Sequence, residues 1–259
     1  MSDQARDPRR GGPSLHRHEV EGVHRLQHAY TNVHFIEDGG RLTVVDAGLP
    51  GTWPHVELAL EVLGRTLADI DALVLTHAHF DHIGFARRLH ERGVPVLLHA
   101  SDEPLAARPY SYRRQRTPLL YPLRHPAAIP VLGSMARAGA LRVPPLRGTT
   151  ALEPGAVLDV PGSPVVLATP GHTDGHVSLH LPDRDAVIGG DALVTLDPYS
   201  ARTGPHLVAR AATADTGRSL ASLEVLAATR ASVLLPGHGR PWRSGVAQAA
   251  ELAARTPVA

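Results

Sequence analysis

One short segment, residues 76–84, constrains this chain more than any other part of its sequence. Within six residues it carries four side chains that can bind a metal ion: His77, His79, Asp81 and His82. The apolar residues 72–75 just before it predict a short buried strand, so the four side chains are expected on a loop. Neutral imidazole and carboxylate groups suit zinc, and also iron or manganese. Because Asp81 and His82 are adjacent and their side chains diverge, the spacing favours two neighbouring ions over one.

Three later residues repeat the pattern of a metal ligand placed just after a predicted strand. Each follows an apolar run and stands beside glycine: His172, Asp191 and His238. Glycine lets the backbone turn sharply and approach an ion closely. A single His in such a turn is more often structural. Seven ligand-type residues in this order nevertheless predict a metal centre with two divalent ions.

The composition excludes several kinds of chemistry and of partner. The 259 residues include no Cys and no Lys, which excludes disulfides, thiolate catalysis, Cys-bound metals and Schiff-base chemistry. A net charge of +1 argues against a nucleic-acid or membrane partner, so we expect a small-molecule substrate. No apolar run reaches the ~20 residues of a membrane span. The polar N-terminus lacks the apolar core of a signal peptide, so we expect a cytoplasmic protein. The oligomeric state is left open.

The apolar pattern predicts an α/β protein with one main domain over residues 20–250. Residues 1–19 are expected to form a flexible N-terminus. A hairpin and two strand–helix units are expected in the first part, at residues 32–45 and 53–98. In the second part, strands are expected at residues 157–160, 165–168, 177–181, 186–188 and 232–235, with helices at 213–230 and in the tail.

Residues 104–152 differ from the rest of the chain and are interpreted as an insertion in the domain. They contain eight Arg and no Asp or Glu, together with several Pro and three Tyr. Arginine recognises carboxylates and phosphates, so Arg113, Arg114 and Arg116 are candidate substrate-binding residues. The prolines and tyrosines favour a partly helical cap that covers the metal site and sets substrate choice. A solvated connector is the alternative.

These features resemble the metallo-β-lactamase superfamily of hydrolases. The resemblance rests on the His77-x-His79-x-Asp81-His82 motif, the three later ligand candidates, and early segments at Asn32 and residues 44–48. It implies an αββα sandwich of two mixed sheets with helices outside and the site at one edge. It also implies how two ions divide the ligands: His77, His79 and His172 hold one, Asp81, His82 and His238 hold the other, and Asp191 bridges them.

The sequence differs from several known subgroups of this superfamily at characteristic positions. The resemblance therefore implies a general hydrolase, similar to glyoxalase II and lactonase-type proteins. The chain lacks the Cys ligand of one β-lactamase class, and it lacks the Gly-Cys-Gly-Arg-like stretch of glyoxalase II and persulfide dioxygenases. Many lactonases carry a Tyr three residues after the bridging Asp. Here that position is Val194, and Tyr199 is the nearest candidate for a substrate-binding Tyr.

The resemblance implies a hydroxide, shared by two metal ions, that attacks the carbonyl of a lactone, ester, thioester or β-lactam. Asp81 is the expected catalytic residue that orients this nucleophile, and Asp46, Thr76 and Thr173 are placed to fix the imidazoles. Two other activities stay open on the same fold: a mononuclear iron persulfide dioxygenase, and a phosphodiesterase or nuclease. Metal affinity is expected to fall below about pH 6, because the His ligands must be neutral.

Overall fold

The computed structural model describes residues 11–118 and 121–259. Residues 1–10 of the expected flexible N-terminus and residues 119–120 of the expected insertion lie outside the described residues. The fold begins earlier than residue 20, because Ser14–Val20 already forms a strand that pairs antiparallel with Val23–His28. A turn at Glu21 and Gly22 joins these two strands. No helix of the described ranges has the length and hydropathy needed to cross a membrane.

The larger sheet has seven strands within the described residues, and they neighbour one another in chain order. They are β1 (Ser14–Val20), β2 (Val23–His28), β3 (Thr31–Asp38), β4 (Arg41–Val45), β5 (Ile70–Val74), β6 (Val96–Leu98) and β7 (Thr150–Ala151). The first four pair antiparallel, as the predicted hairpin requires, and β4 to β7 pair parallel. The sheet is therefore mixed.

The second sheet and a separate hairpin follow in the later half of the chain. Their strands are β8 (Val165–Ala168), β9 (Val177–Leu181), β10 (Ala186–Gly190), β11 (Val194–Leu196), β12 (Thr203–His206) and β13 (Val233–Pro236). The sheet order is β13-β10-β9-β8, and β11 pairs with β12 alone. Residues 157–160, expected as a strand, form only one bridge from Val157 to Val165. Pro161 and Gly162 turn the chain away before a ladder can form.

Helices lie between and after these strands. They are α1 (Trp53–Leu63), α2 (Ala86–His90), α3 (Glu103–Ala106), α4 (Tyr121–Arg124), α5 (Ile129–Arg137), α6 (Thr216–Ala228) and α7 (Val246–Arg255). Residues 104–152 thus hold most of α3, all of α4 and α5, and then β7, which joins the sheet beside β6. Val131 and Met135 of α5 pack with Tyr30 and Leu49, so this part of the segment is a packed element of the domain.

The buried apolar side chains form three layers: one between the first sheet and its helices, one between the two sheets, and one between the second sheet and its helices. Neighbouring residues of one strand pack in different layers. In β4, Val44 packs in the layer that contains α1, and Val45 packs between the two sheets. In β13, Leu235 packs between the sheets, whereas Leu234 packs with α6 and α7. Since successive side chains of a strand point to opposite faces, both faces of each sheet are buried. The predicted αββα sandwich is confirmed.

Candidate metal centre

The seven candidate ligands meet at one edge of the sandwich, just beyond the ends of four strands. Residues 77–82 follow β5, and the other three ligands follow strands of the second sheet: His172 after β8, Asp191 after β10 and His238 after β13. Strands β8, β10 and β13 run parallel to one another, so their carboxyl ends share one edge. All seven residues are buried, and none is more than 6% exposed.

The first ligand set consists of His77, His79 and His172, whose ligand atoms lie within 4.8 Å of one another. The Nε2 atoms of these rings are buried, and none has a hydrogen-bond partner within residues 11–118 and 121–259. A buried polar atom without a partner costs free energy, so such atoms normally have one. A divalent cation would supply the partner for all three. The donor set therefore fits a metal ion.

The second ligand set consists of Asp81, His82 and His238, whose ligand atoms also lie within 4.8 Å of one another. The Nε2 atom of His238 is 3.3 Å from Oδ2 of Asp81 and 3.2 Å from Oδ2 of Asp191. The same oxygen of Asp191 is 3.4 Å from Nε2 of His172. Asp191 therefore reaches both sets, and the geometry offers two adjacent metal positions with one carboxylate between them.

The first ligand set is electrically neutral. Burial, with the neighbouring imidazoles adding to it, lowers the pKa of His77 and His172 well below the ordinary value. Burial also lowers the pKa of His79, to about 4, against the pull of Asp81 and Asp191. A neutral imidazole is the form that binds a metal ion, so these rings are ready for ligation across the physiological pH range.

The second set is charged, because carboxylates face its imidazoles. Burial opposes the charge on His82, but Asp191 and Asp46 outweigh it and raise the pKa of His82 to about 9. Asp191 and Asp81 likewise raise the pKa of His238 well above its ordinary value despite burial. Burial acts against ionisation of Asp191, yet His238 and His82 hold its pKa well below the usual range. Without metal, ion pairs thus compensate the buried charges of this set.

Asp46 holds both the metal loop and one of its imidazoles. It lies directly after β4, with a backbone φ of 62°, a left-handed conformation that non-glycine residues seldom adopt. Its Oδ1 accepts a hydrogen bond from the backbone of Thr76 at 2.8 Å, and its Oδ2 accepts one from Nδ1 of His82 at 2.9 Å. The hydroxyl of Thr76 lies 3.0 Å from Nδ1 of His77. Both residues therefore orient imidazoles, as their positions in the sequence suggested.

Thr173 acts differently from the expectation that it fixes an imidazole. Its hydroxyl donates to Oδ2 of Asp102 at 2.7 Å, and the hydroxyl near Nδ1 of His172 belongs to Thr213, at 3.5 Å. The sequence reasoning missed Asp102 entirely. This carboxylate also accepts from the backbone nitrogens of Ala78, at 2.9 Å, and Gly175, at 2.8 Å. It thereby connects the two loops that carry the first ligand set.

Glycine is required where the His238 loop passes the bridging carboxylate. A Cβ atom placed on Gly237 would lie 2.2 Å from Oδ1 of Asp191 and 2.8 Å from Cε1 of His82. Any side chain there would displace ligands of the second set. The glycine next to the ligand therefore serves close backbone approach, as the sequence pattern suggested.

Two tyrosines cover the metal centre from the outside. Tyr112, from the 104–152 segment, places its ring centroid 4.8 Å from that of His79, and together with Tyr199 it lines a narrow cavity over both ligand sets. Burial raises the pKa of Tyr199 well above its usual value, and nearby Tyr112 and Asp81 raise it further. The Tyr199 hydroxyl is therefore protonated, and it shares a hydrogen bond with Tyr112 at the mouth of the cavity.

The three candidate arginines of the segment have different surroundings. Arg113 lines a cavity of about 130 Å³ that also touches His79, and its guanidinium pairs with Asp174 at 2.9 Å. The guanidinium of Arg114 lies 5.6 Å from the ring centroid of Tyr112, in a cation–π contact. Arg116 is exposed and lines neither of the two cavities beside the metal ligands, as far as the described residues define them. Of the three, only Arg113 lines a cavity at the metal centre.

Comparison with known proteins agrees with this fold and site. The sequence profile described as the Metallo-beta-lactamase superfamily matches residues 28–238. The probable metallo-hydrolase YflN of Bacillus subtilis (strain 168) is 28% identical over 233 residues, covering 86% of this chain and 85% of YflN. The crystal structure of the metallo-beta-lactamase family protein TTHA1429 from Thermus thermophilus matches with a TM-score of 0.65 and 26% identity, over 90% of this chain and 78% of that one. TTHA1623 in a di-iron-bound form matches with a TM-score of 0.58 and 28% identity, over 82% of this chain and 89% of that one.

The profile match covers most of the chain and includes all seven candidate ligands. The αββα architecture and the buried His/Asp cluster at its edge agree with that match. The chain belongs to the metallo-beta-lactamase superfamily.

Proposed function

We propose that this chain is a metal-dependent hydrolase. It would hold two divalent cations and use a water molecule to attack the carbonyl of a small-molecule substrate. The observation that carries the proposal is the pair of buried ligand sets joined by Asp191. Imidazole and carboxylate donors without a thiolate suit zinc first, and also iron or manganese. The di-iron form of TTHA1623 makes iron the first alternative to test.

Divalent cations held in these two sets would supply a coordinated water of lowered pKa and a Lewis acid for the substrate carbonyl. Side chains at the site would position the water and limit the access of bulk solvent. Asp81 would orient the attacking water, because its buried carboxylate lines the cavity under Tyr199, 3.3 Å from Nε2 of His238. The side chains of Phe80, Tyr112 and Tyr199 restrict bulk water at the site.

The second ligand set favours hydrolysis over a mononuclear iron oxygenase. One ion in the first set would satisfy the free imidazole nitrogens there and leave Asp81, His82 and His238 with no chemical role. A phosphodiesterase or nuclease needs a strong positive field near the site. Asp174 pairs with both Arg113 and Arg218, so the positive charge nearest the metal centre is partly neutralised. A lactone, ester, thioester or β-lactam is the preferred substrate class.

The metal content of matched variants tests the dinuclear site. We expect two ions per chain in the wild type and one in Asp81→Ala, with loss of most hydrolytic activity, because Asp81 belongs to the second set alone. Asp159→Ala, which removes an exposed aspartate that belongs to neither ligand set, is the matched control and should keep both ions. Full turnover by Asp81→Ala, or a single ion in the wild type, would refute the dinuclear mechanism.

A substrate panel assigns the reaction class. The zinc-, iron- and manganese-loaded proteins are each assayed with a lactone, an ester, a thioester, a β-lactam and bis(p-nitrophenyl) phosphate. We expect turnover of at least one carbonyl substrate that Asp81→Ala lacks and Asp159→Ala retains. Faster turnover of the phosphodiester than of every carbonyl substrate would contradict the proposal. Oxygen uptake with a persulfide, by a protein that holds one iron, would favour the oxygenase instead.

A further inference from the structure

A second cavity, of about 430 Å³, lies on the far side of the strand end that carries His238. It opens between the β2–β3 turn, the β11–β12 hairpin and residues 239–242, and its walls are mainly apolar. The apolar wall is formed by Tyr30, Leu196, Pro241 and Trp242. None of the seven candidate metal ligands lines it. Its volume falls in the range of about 300–1,000 Å³ that is typical of small-molecule sites.

A layer of backbone separates this cavity from the metal centre. The backbone nitrogen of Thr195 donates to the carbonyl of His238 at 3.1 Å, and the hydroxyl of Thr195 donates to the carbonyl of Arg240 at 2.6 Å. Gly239 lies in this layer and lines the cavity. A molecule in the cavity therefore contacts the back of the His238 loop and not the metal ligands themselves.

One nearly buried polar group of the cavity wall has spare hydrogen-bonding capacity. Gln27 is only 5% exposed, and its Oε1 accepts a long hydrogen bond of 3.5 Å from Arg25. Its amide nitrogen donates to no group within residues 11–118 and 121–259. Gln27 lines the cavity, so its amide N–H can donate a hydrogen bond to a ligand oxygen there.

The charges around the cavity favour an anion. Glu19 pairs with both Arg25, at 2.8 Å, and Arg243, at 2.6 Å. Arg240 lines the cavity and forms no ion pair with any described residue. Glu19 thus partly neutralises Arg25 and Arg243, and the guanidinium of Arg240 has no carboxylate partner among the described residues. Guanidinium groups bind carboxylates through paired, charge-assisted hydrogen bonds.

We propose that this cavity is a binding site for a small amphipathic monocarboxylate, separate from the metal centre. The aromatic or aliphatic body of the ligand packs against Trp242, Leu196 and Tyr30. Its carboxylate pairs with Arg240 and accepts the amide N–H of Gln27. A neutral apolar molecule would leave these two polar groups unpaired, and a polyanion would place charge against the apolar wall.

The test uses the metal-loaded full chain and two probes of equal shape, 2-naphthoate and 2-naphthamide. The chain has two Trp, so the Trp53→Phe variant reports binding through Trp242 fluorescence alone. We expect 2-naphthoate to bind at least about tenfold more tightly than the amide, the preference that a charge-assisted pair confers. Isothermal titration calorimetry of the unmodified chain measures the same preference if Trp53→Phe does not fold.

Two substitutions locate the site. Arg240→Gln, at an exposed position, should abolish the preference for the acid, and the exposed control Arg87→Gln should retain it. Asp81→Ala should also retain it, because the cavity excludes the metal ligands. Equal affinity for acid and amide, an unchanged preference in Arg240→Gln, or loss of the preference in Asp81→Ala would each overturn the proposal. The last result would place the carboxylate on the metal ions.

Discussion

Replacing Asp102 should damage the metal centre although Asp102 is not one of the seven candidate ligands. Its carboxylate is buried and accepts three hydrogen bonds, from the Ala78 nitrogen at 2.9 Å, the Thr173 hydroxyl at 2.7 Å and the Gly175 nitrogen at 2.8 Å. Burial raises the pKa of Asp102, although all three donors favour its ionised form. This one side chain ties the loop of His77 and His79 to the loop of His172.

The magnitude follows from the donors that Asp102→Ala would leave unpaired. Each buried donor without an acceptor costs about 1–3 kcal/mol. Three such donors in one small network do not add independently, so we expect Asp102→Ala to lower the free energy of unfolding by about 4 kcal/mol. Asp102→Asn keeps an acceptor for two of the donors and should cost about 1–2 kcal/mol. The alanine variant thus loses a large share of the roughly 5–15 kcal/mol that stabilises a domain.

Urea unfolding of the metal-free variants measures this cost, and competition with a chromophoric chelator measures metal affinity. The affinity of the first ligand set should fall, because its two loops are no longer held together. Asp71→Ala is the matched control, since Asp71 is partly exposed and pairs with Arg41 at the surface. It should change stability by no more than about 1 kcal/mol. The reasoning is refuted if Asp102→Ala unfolds like this control and binds metal like the wild type.

Two further predictions concern protons and charge. Metal binding at the second ligand set should release protons at pH 7, because the pKa values of His82, raised to about 9, and of His238 lie above that pH and ligation needs neutral rings. Binding at His79, whose pKa is lowered to about 4, should release none. Calorimetry in buffers of different ionisation enthalpy checks both, and equal release by the two ions would contradict the assignment. The triple replacement of Arg113, Arg114 and Arg116 by Ala should raise KM for an anionic substrate. It should leave the metal content unchanged. The single Arg113→Ala variant should account for most of that effect, since of the three only Arg113 lines a cavity beside the metal centre.

The parts of the fold that could be predicted are those whose cause is local. The apolar runs at residues 32–36 and 42–45, split by the turn at Gly39 and Gly40, predict the hairpin, and the apolar spacing from Trp53 predicts α1. The strand at Ser14–Val20 was missed, because its residues are polar and partly exposed at the sheet edge. They are ordered through pairing with β2, a contact that the segment's own sequence does not indicate.

The ligands could be found from the sequence, but most of their support could not. A His/Asp motif after a strand is a local signal, whereas Asp102 follows a short strand like many other aspartates. Its role depends on contacts with Ala78, 24 positions away, and with Thr173, 71 positions away. His176, just before β9, carries no such local signal. Its Nε2 accepts a hydrogen bond from the backbone of Asp191 at 2.9 Å and so positions the bridging ligand.

The two ligand sets differ in protonation, and this difference orders the binding of the two ions. In the first set, desolvation outweighs the pull of Asp81 and Asp191, so its imidazoles are neutral. In the second set, the carboxylates beside His82 and His238 dominate, and a metal ion must displace protons to bind there. The first ion should therefore bind more tightly at neutral pH, and the affinity of the second should rise with pH. The sequence predicted one common threshold near pH 6 for all the ligands. The structure replaces it with two, because the threshold depends on which carboxylates face each ring and not on the residue type.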